Sequence, residues 1–307
     1  MYQYLYERSK EKAIHRVWIL SDLQQSYPEN ARKCLDISMT DYESLKAPAD
    51  MIWYLGDAVE NTNLAHLKEM TAMQVQAFSK LGIPLCYATG NHDYDYARVH
   101  PDKEPIMPFY EAVKSHKNWF TTENCDDFYF TYKLGEYTIF FLCDHIAKDN
   151  KWLVTHNRIQ KGQEHYPYSQ KDADRLRETI AAVKGPVITA SHYSFPGGSR
   201  ENNFTGKLLP LPNNVKIHFY GHAHIGDLQW ARENVYRRIS WVDWHDIPQI
   251  NVSSFENIRG TACRSVFLHI YEDGAMGVFF RNHDIGQFTE CYFPAKENLP
   301  QRLSDLK

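Results

Sequence analysis

The sequence predicts an α/β fold for this 307-residue chain, and two observations carry the prediction. Short apolar runs recur along the chain, and each ends in Asp, Asn or His, a pattern typical of buried strands. Amphipathic helical patterns lie between some of these runs, which favours a sheet with parallel neighbours. A hydrophobic content of 43% is enough for a sizeable core.

Five apolar runs predict the buried strands. Each contains a short stretch of apolar residues and is bounded by polar residues or glycine. In chain order they are 16–24 (RVWILSDLQ), 50–57 (DMIWYLGD), 83–93 (IPLCYATGNHD), 186–192 (PVITASH) and 215–224 (VKIHFYGHAH).

Two helices and two hairpins complete the prediction. In 66–82 the buried stripe is Leu67, Met70, Ala77, Phe78 and Leu81, with Gly82 and Pro84 as a stop signal. In 169–186 Ser169 and Asp172 have capping spacing, and the stripe is Ala173, Leu176, Ile180 and Val183. The hairpins are 128–143, turning near Gly135, and 264–280, turning at Asp273-Gly274.

Composition favours a single domain over 1–307 and narrows the classes of partner. No internal repeat, low-complexity tract or linker interrupts the chain. The net charge of -4 and the lack of a basic run make nucleic acid an unlikely partner. No stretch of about 18 apolar residues and no apolar signal region is present, so we expect no membrane span and a cytoplasmic location. The polar, aromatic segment 145–168 shows no clear helix or strand pattern, and one interpretation is a loop beside a ligand site.

Polar residues of ligand type follow all five predicted strands. In open α/β sheets, ligands bind outside the carboxyl ends of strands. Any one of these residues alone is better explained as a cap, a turn residue or an ordinary surface side chain. Capping does not require histidine, however, and four of the nine are His. They are Asp22, Gln24, Asp57, Asn91, His92, Asp93, His192, His222 and His224.

Imidazole, carboxylate and amide groups together form a mixed nitrogen and oxygen ligand set. Such a set suits Zn, Fe or Mn better than Ca or Mg. Nine residues are too many for one ion, whereas two ions about 3.5–4 Å apart, bridged by a carboxylate, would use them. Two metals at this spacing serve phosphoryl transfer, because they clamp the attacking and departing oxygens.

The order of these motifs resembles the calcineurin-like metallophosphoesterase superfamily. The chain reads D-x-Q, GD, GNHD, SH and GHAH between Asp22 and His224. The superfamily pattern is D-x-H, GD, GNH followed by an acid, a lone His, and GHxH. The resemblance implies a four-layer αββα fold, a β-sandwich flanked by helices, with two metals at one edge and the C-terminal hairpin in the closing β-layer.

The resemblance also implies a role for each motif residue. Asp57 would bridge both ions. His92 would act as general acid or charge stabiliser at the leaving-group oxygen, with Asp93 orienting its ring. A metal-bridging hydroxide would attack phosphorus in line, while Asn91 and His92 contact the substrate. The first ion would be held by Asp22, Gln24 and His224, and the second by Asn91, His192 and His222.

Gln24 stands where the superfamily usually has His. A carboxamide oxygen is a neutral, harder and weaker donor than an imidazole nitrogen. Gln24 would ligate the first ion through this oxygen, hydrogen-bond a metal-bound water, or be inert. We favour ligation or near-ligation, and expect an easily lost first metal and a preference for Mn or Fe, with Zn also possible.

The sequence defines the reaction class better than the substrate. Phosphatase and phosphodiesterase activity on a small or protein-borne phosphoester both stay open. The alternatives are a catalytically silent interaction module and, third, a nuclease. Candidate groups near the cleft, each equally explained by loop packing, are Arg200 for a phosphate dianion, Trp152, Tyr166, Tyr168 and Tyr193 for stacking, and Trp241, Trp244 and His245 for a cleft wall.

Overall fold

Two β-sheets pack face to face and carry helices on their outer faces. The computed structural model describes residues 1–100, 106–124, 127–143, 170–195, 204–224, 238–242, 247–257 and 260–294. Within these residues the layers run helices, sheet, sheet, helix. The α/β prediction and its αββα layering are therefore confirmed.

The elements of the described residues have the following bounds. The helices are α1 Tyr2–Lys12, α2 Pro28–Ser44, α3 Leu64–Ser79, α4 Asp95–Val99, α5 Pro108–Ser115 and α6 Gln170–Ala181, with short 3-10 helices at His92–Tyr94 and Phe204–Leu208. The strands are β1 His15–Leu20, β2 Met51–Leu55, β3 Leu85–Ala88, β4 Trp119–Phe120, β5 Tyr129–Leu134, β6 Tyr137–Leu142, β7 Val187–Ser191, β8 Val215–Tyr220, β9 Ile239–Trp241, β10 Pro248–Asn251, β11 Arg264–Ile270, β12 Met276–Asn282 and β13 Gln287–Tyr292.

Each sheet combines a run of parallel strands with antiparallel strands at one or both margins. The first sheet has the order β13-β12-β11-β1-β2-β3-β4, and β1 to β4 run parallel. The second has the order β5-β6-β7-β8-β10-β9, and β6, β7, β8 and β10 run parallel. The carboxyl ends of these parallel strands therefore share one edge in each sheet.

Side chains alternate between the two faces of each strand. On β1, Val17 and Ile19 point into the layer between the sheets, whereas Trp18 and Leu20 pack against the outer helices. The layer between the sheets is apolar and includes Trp53, Leu55, Phe141, Ile188 and Phe219. Burial of these large side chains is the main source of stability for the sandwich.

Most of the predicted elements are present. All five predicted strands form, as β1, β2, β3, β7 and β8. The hairpin glycines Gly135 and Gly274 adopt positive φ of 60° and 77°. Helix α3 begins two residues earlier than predicted because the side chain of Asn63 accepts backbone hydrogen bonds as its N-cap. Helices α1 and α2 were not predicted. No helix in the described parts of the chain is long and apolar enough to cross a membrane.

A buried ion pair fastens α2 to β12. The guanidinium of Arg281 donates two hydrogen bonds to Asp41, from Nε to Oδ2 at 2.8 Å and from Nη2 to Oδ1 at 2.6 Å. His283 Nδ1 lies 2.7 Å from Asp41 Oδ2. Burial opposes the charge of Asp41, but the hydrogen bonds from Arg281 and His283 outweigh it and lower its pKa to about 2.

Asp41→Asn is expected to lower the free energy of unfolding at pH 7 by about 3–5 kcal/mol, because Arg281 would stay buried without its counter-charge. The difference in unfolding free energy between wild type and Asp41→Asn should decrease below about pH 4. A carboxylate with a depressed pKa loses its stabilising contribution as pH falls through that pKa. Urea unfolding at pH 7, 4 and 2.5 measures this. Asp36→Asn, at an exposed position of α2, is the matched control. A difference in unfolding free energy between wild type and Asp41→Asn that does not change with pH would contradict the prediction.

Candidate metal centre

Three site residues adopt a left-handed backbone just beyond a strand. Asp22, Asp57 and His222 have φ of 59°, 51° and 62°, and they follow β1, β2 and β8 within two residues. Non-glycine residues in this region cost about 1–2 kcal/mol each. The sharp turns concentrate this strain where the sheet edges meet, and they project the three side chains toward one another.

Glycines let the strand ends approach closely. A Cβ on Gly56, whose φ is 86°, would lie 2.6 Å from the backbone nitrogen of Gly90 and 2.8 Å from His192 Nδ1. A Cβ on Gly90 would collide with Asp57 Oδ1, and one on Gly221 with Ser21 Oγ. The glycines of the GD, GNHD and GHAH motifs are thus required by close packing of the site loops.

Gly56→Ala is expected to destabilise the protein more than Gly82→Ala. Both glycines have positive φ, but a Cβ on Gly82 meets nothing within 4 Å, whereas one on Gly56 meets backbone and an imidazole. Gly82→Ala reports only the conformational cost, and Gly56→Ala adds about 1–3 kcal/mol for overpacking. Chemical unfolding of both variants measures the difference. Equal losses would show that the close approach at Gly56 relaxes freely.

Asp57, His192 and His222 form one ligand group. His192 Nε2 lies 3.0 Å from Asp57 Oδ2 and 3.1 Å from His222 Nδ1. His192 Nδ1 lies 2.8 Å from the carbonyl oxygen of Leu55 and donates to it, which directs Nε2 toward the group. Asn91 is 7% exposed, and its Oδ1 accepts a hydrogen bond from the Tyr193 hydroxyl at 3.1 Å.

Asp22 and His224 form a second group. Asp22 Oδ1 lies 3.0 Å from His224 Nε2, yet it is buried and accepts no hydrogen bond within the described residues. Asp22 Oδ2 accepts from the backbone N–H of His222 at 2.9 Å, which joins the two groups. Gln24 is buried, and its backbone N–H donates to the carbonyl oxygen of Asp57 at 3.1 Å.

The spacing within both groups fits metal ligation. Two donors about 2.0–2.1 Å from one ion, at angles between about 90° and 109°, lie about 2.8–3.4 Å apart. The separations of Asp22 from His224, of Asp57 from His192, and of His192 from His222 are 3.0, 3.0 and 3.1 Å. Asp22 Oδ1, one of these donors, has no hydrogen bond within the described residues, and a cation would satisfy it.

Opposite charges stabilise one another across the site. Burial disfavours an ionised Asp57, but His192 and His92 outweigh it and hold its pKa well below the usual range. Burial likewise opposes protonation of His192, and Asp57 and Asp22 raise its pKa to about 10. The same balance with Asp22 raises the pKa of His224 to about 9. The cluster therefore favours bound cations or protons.

His92 lies beside this cluster with its ring held from outside. Its backbone N–H donates to Asp57 Oδ1 at 2.8 Å, and its Nδ1 lies 2.9 Å from Asp95 Oδ2. Burial opposes protonation, but Asp57 and Asp95 outweigh it and raise the pKa of His92 to about 9. These carboxylates favour the protonated ring, and Nε2 remains to donate a proton.

The prediction that Asp93 orients the ring of His92 is wrong. Asp93 Oδ2 accepts from the backbone N–H groups of Asp57 and Gly90 at 2.9 and 2.7 Å, and Oδ1 accepts from Ala58 at 3.0 Å. His92–Tyr94 is a 3-10 turn, in which side chains three residues apart eclipse each other. That geometry places Asp95 against His92 and turns Asp93 toward the loop after β2.

Sequence reasoning missed Glu256 and Gln25. Glu256 Oε1 lies 2.6 Å from His224 Nδ1, and Gln25 Nε2 donates to Glu256 Oε2 at 2.7 Å. Glu256 follows β10, which pairs in parallel with β8. The sequence did contain a signal for Glu256, because QIN, shortly before it, is another short strand that ends in polar residues. This run is less apolar than the five runs used for prediction.

The structure describes only some of the residues predicted to lie near the cleft. Tyr193 is 1% exposed, so it packs in the protein and cannot stack on a substrate. Trp241 is 41% exposed at the end of β9. The segment 145–168 and the residues Trp152, Tyr166, Tyr168, Arg200, Trp244 and His245 lie outside the described residues.

Comparison with known proteins agrees with the architecture. A family model described as calcineurin-like phosphoesterase matches residues 15–226. No curated protein matches the chain. Among similar solved structures is a purple acid phosphatase from yellow lupin (Lupinus luteus) seeds, 13% identical with a TM-score of 0.52. The match covers 91% of this chain and 53% of that one, so this chain spans about half the length of that structure. At this identity the likeness shows the fold.

Proposed function

The chain belongs to the calcineurin-like phosphoesterase family, and from that premise we propose that it hydrolyses a phosphoester with two bound metal ions. The observation that carries the proposal is the 3.0–3.1 Å spacing between the buried or partly buried donor atoms of Asp57, His192 and His222, and of Asp22 and His224. His192 Nε2 faces both Asp57 Oδ2 and His222 Nδ1, and this convergence of three potential ligand atoms is what a single cation would bind.

Seven residues would hold the ions. Asp57 is the proposed bridge, because its carboxylate contacts His192 and its loop lies against the loop of Gln24, whose backbone N–H donates to the Asp57 carbonyl oxygen. Two ions would supply activation of the attacking water and neutralisation of the phosphate oxygens. Mn or Fe suits this ligand set best. The proposed first set is Asp22, Gln24, His224 and Asp57, and the second is Asn91, His192, His222 and Asp57.

His92 is the proposed general acid. Asp95 fixes Nδ1, so Nε2 is the atom that would donate a proton to the leaving oxygen. The backbone hydrogen bond from His92 to Asp57 Oδ1 ties the acid to the bridging residue. Asn91, directly before it and held by Tyr193, is proposed to contact the substrate as well as the second ion.

Gln24→His is expected to raise the affinity of the more weakly bound ion by about tenfold or more, because imidazole is a stronger donor than a carboxamide oxygen. Calorimetric titration with Mn²⁺ and Zn²⁺ measures this, and the gain should be larger for Zn²⁺. Gln76→His, at an exposed position of α3, is a control for the added imidazole. Unchanged affinities in Gln24→His would argue that position 24 lies outside the coordination shell.

The proposed function is tested by comparing p-nitrophenyl phosphate with bis-p-nitrophenyl phosphate in added Mn²⁺. A His222→Ala protein is the blank for contaminating phosphatase. Faster monoester cleavage would favour a phosphatase, and faster diester cleavage a phosphodiesterase. A folded protein that binds no metal and cleaves neither compound would contradict the proposal and favour a silent interaction module.

A further inference from the structure

A buried carboxylate lies directly behind the candidate first-ion ligand His224. Glu256 is 0% exposed, and its two oxygens face different partners. Oε1 is 2.6 Å from His224 Nδ1, and Oε2 accepts from Gln25 Nε2 at 2.7 Å. The opposite ring nitrogen, His224 Nε2, lies 3.0 Å from Asp22 Oδ1. The imidazole is thus held between two carboxylates.

The fold fixes Glu256 in this position from both sheets. The segment after β10 is tied to the loop after β1, because the backbone N–H of Phe255 donates to Ser21 O at 2.8 Å. It is also tied to the loop after β8, because Asn251 Nδ2 donates to Ala223 O at 3.0 Å. Thr261 Oγ1 donates to the carbonyl oxygen of Glu256 at 2.8 Å. Hydrogen bonds therefore tie the residues around Glu256 to two loops of the site.

The side chain of Gln25 is oriented so that its amide nitrogen, not its oxygen, faces Glu256. Its Oε1 is buried and has no hydrogen-bond partner within the described residues. Turning the carboxamide over would place Oε1 against the Glu256 carboxylate, which repels it, so the observed orientation is the better one. The hydrogen bond to the Glu256 carboxylate thus determines the orientation of the Gln25 amide.

We propose that Glu256 is a positioning residue for the first metal ion, and that it offsets the weak donor at Gln24. A carboxylate at Nδ1 fixes His224 as the Nδ1–H tautomer, so the lone pair of Nε2 faces Asp22. The same negative charge makes the imidazole a stronger donor. A first site with a neutral carboxamide in place of an imidazole gains from that added donor strength. This inference rests on the proposed function.

The test measures metal binding and the tautomer, not turnover. We expect Glu256→Gln to weaken Mn²⁺ at the weaker site by about 10–100-fold in calorimetric titration, with the tighter site within about twofold of wild type. The double variant Gln25→Glu with Glu256→Gln keeps one carboxylate and one carboxamide in the same space but moves the charge off the imidazole. It should be weakened at least tenfold as well. Glu290→Gln, a partly buried carboxylate on β13, is the control.

The tautomer is read from ¹⁵N shifts of histidine-labelled protein without metal, with the His224 signals assigned by their loss in His224→Asn. The proposal is supported if wild-type His224 carries a proton on Nδ1, either alone or together with one on Nε2. It also requires that Glu256→Gln change the ratio of the two neutral tautomers of His224. Wild-type metal affinity in both the single and the double variant would overturn it while leaving the proposed function intact. A wild-type protein that binds no Mn²⁺ would overturn the proposed function itself.

Discussion

Replacing Asp57 with Asn is expected to abolish stable binding of both ions and to lower kcat/KM by about 10³-fold or more. Asp57 Oδ2 lies 3.0 Å from His192 Nε2, and Oδ1 accepts the backbone N–H of His92 at 2.8 Å. A carboxamide keeps only one of these acceptors, carries no charge and cannot bridge two cations through two oxygens. The loss therefore falls on both ion groups at once.

The stability of the protein gives a readout independent of turnover. Ions that bind only the folded state raise the unfolding free energy by about 2.7 kcal/mol at a concentration 100 times Kd. Added Mn²⁺ should therefore raise the Tm of wild type and leave that of Asp57→Asn unchanged. Asp50→Asn, just before the other end of β2, is the matched control and should keep the metal-induced shift. A metal-induced shift in Asp57→Asn equal to that of wild type would rule out the bridging role.

The sequence predicted the parts of the site that depend on strand ends. Asp22, Asp57, His192 and His222 lie together because short apolar runs define parallel strands, and parallel strands share a carboxyl edge. The pattern carries this information within single segments. The order of the motifs resembled that of the calcineurin-like superfamily, and the family match over 15–226 confirms that resemblance.

The supporting residues depend on local geometry that the pattern does not contain. Asp95 rather than Asp93 contacts His92, because the chain after Asn91 takes a 3-10 turn in place of an extended loop. Glu256 reaches His224 through the pairing of β10 with β8, which brings together residues 32 positions apart. In both cases the residue that contacts the site histidine is determined by the folded geometry and not by the pattern of apolar runs.

Helix α1 was missed for a related reason. Its mean composition is polar, and only Tyr6 and Ser9 are buried along it. Tyr6 stacks on Phe288 with ring centroids 4.0 Å apart, so tertiary packing supports a helix that its own sequence pattern barely indicates. Helix α2 begins with a proline at its first turn, a start signal that becomes informative only once the strand before it is located.

Replacing His92 with Asn is expected to lower kcat by about 10²–10⁴-fold while metal affinity stays close to wild type. His92 contacts Asp57 through its backbone N–H, which Asn retains, and its ring is held by Asp95 outside the proposed ligand set. The ring would donate a proton to the leaving oxygen, so the loss should depend on how much the leaving group needs that proton. An alkyl phosphate, whose alkoxide is a poor leaving group, should lose more than p-nitrophenyl phosphate.

Asp95→Asn separates positioning from acid catalysis. It removes the charge at His92 Nδ1 but leaves the ring in place, so we expect a smaller loss of kcat than in His92→Asn with the same dependence on the leaving group. Asp127→Asn, at an exposed turn distant in sequence, serves as the control for loss of a carboxylate. The measurement is kcat on the two monoesters for each variant in saturating Mn²⁺. Equal losses on both substrates would exclude proton donation and leave His92 as a charge that stabilises the phosphoryl group, because electrostatic stabilisation of that group is largely indifferent to the departing alcohol.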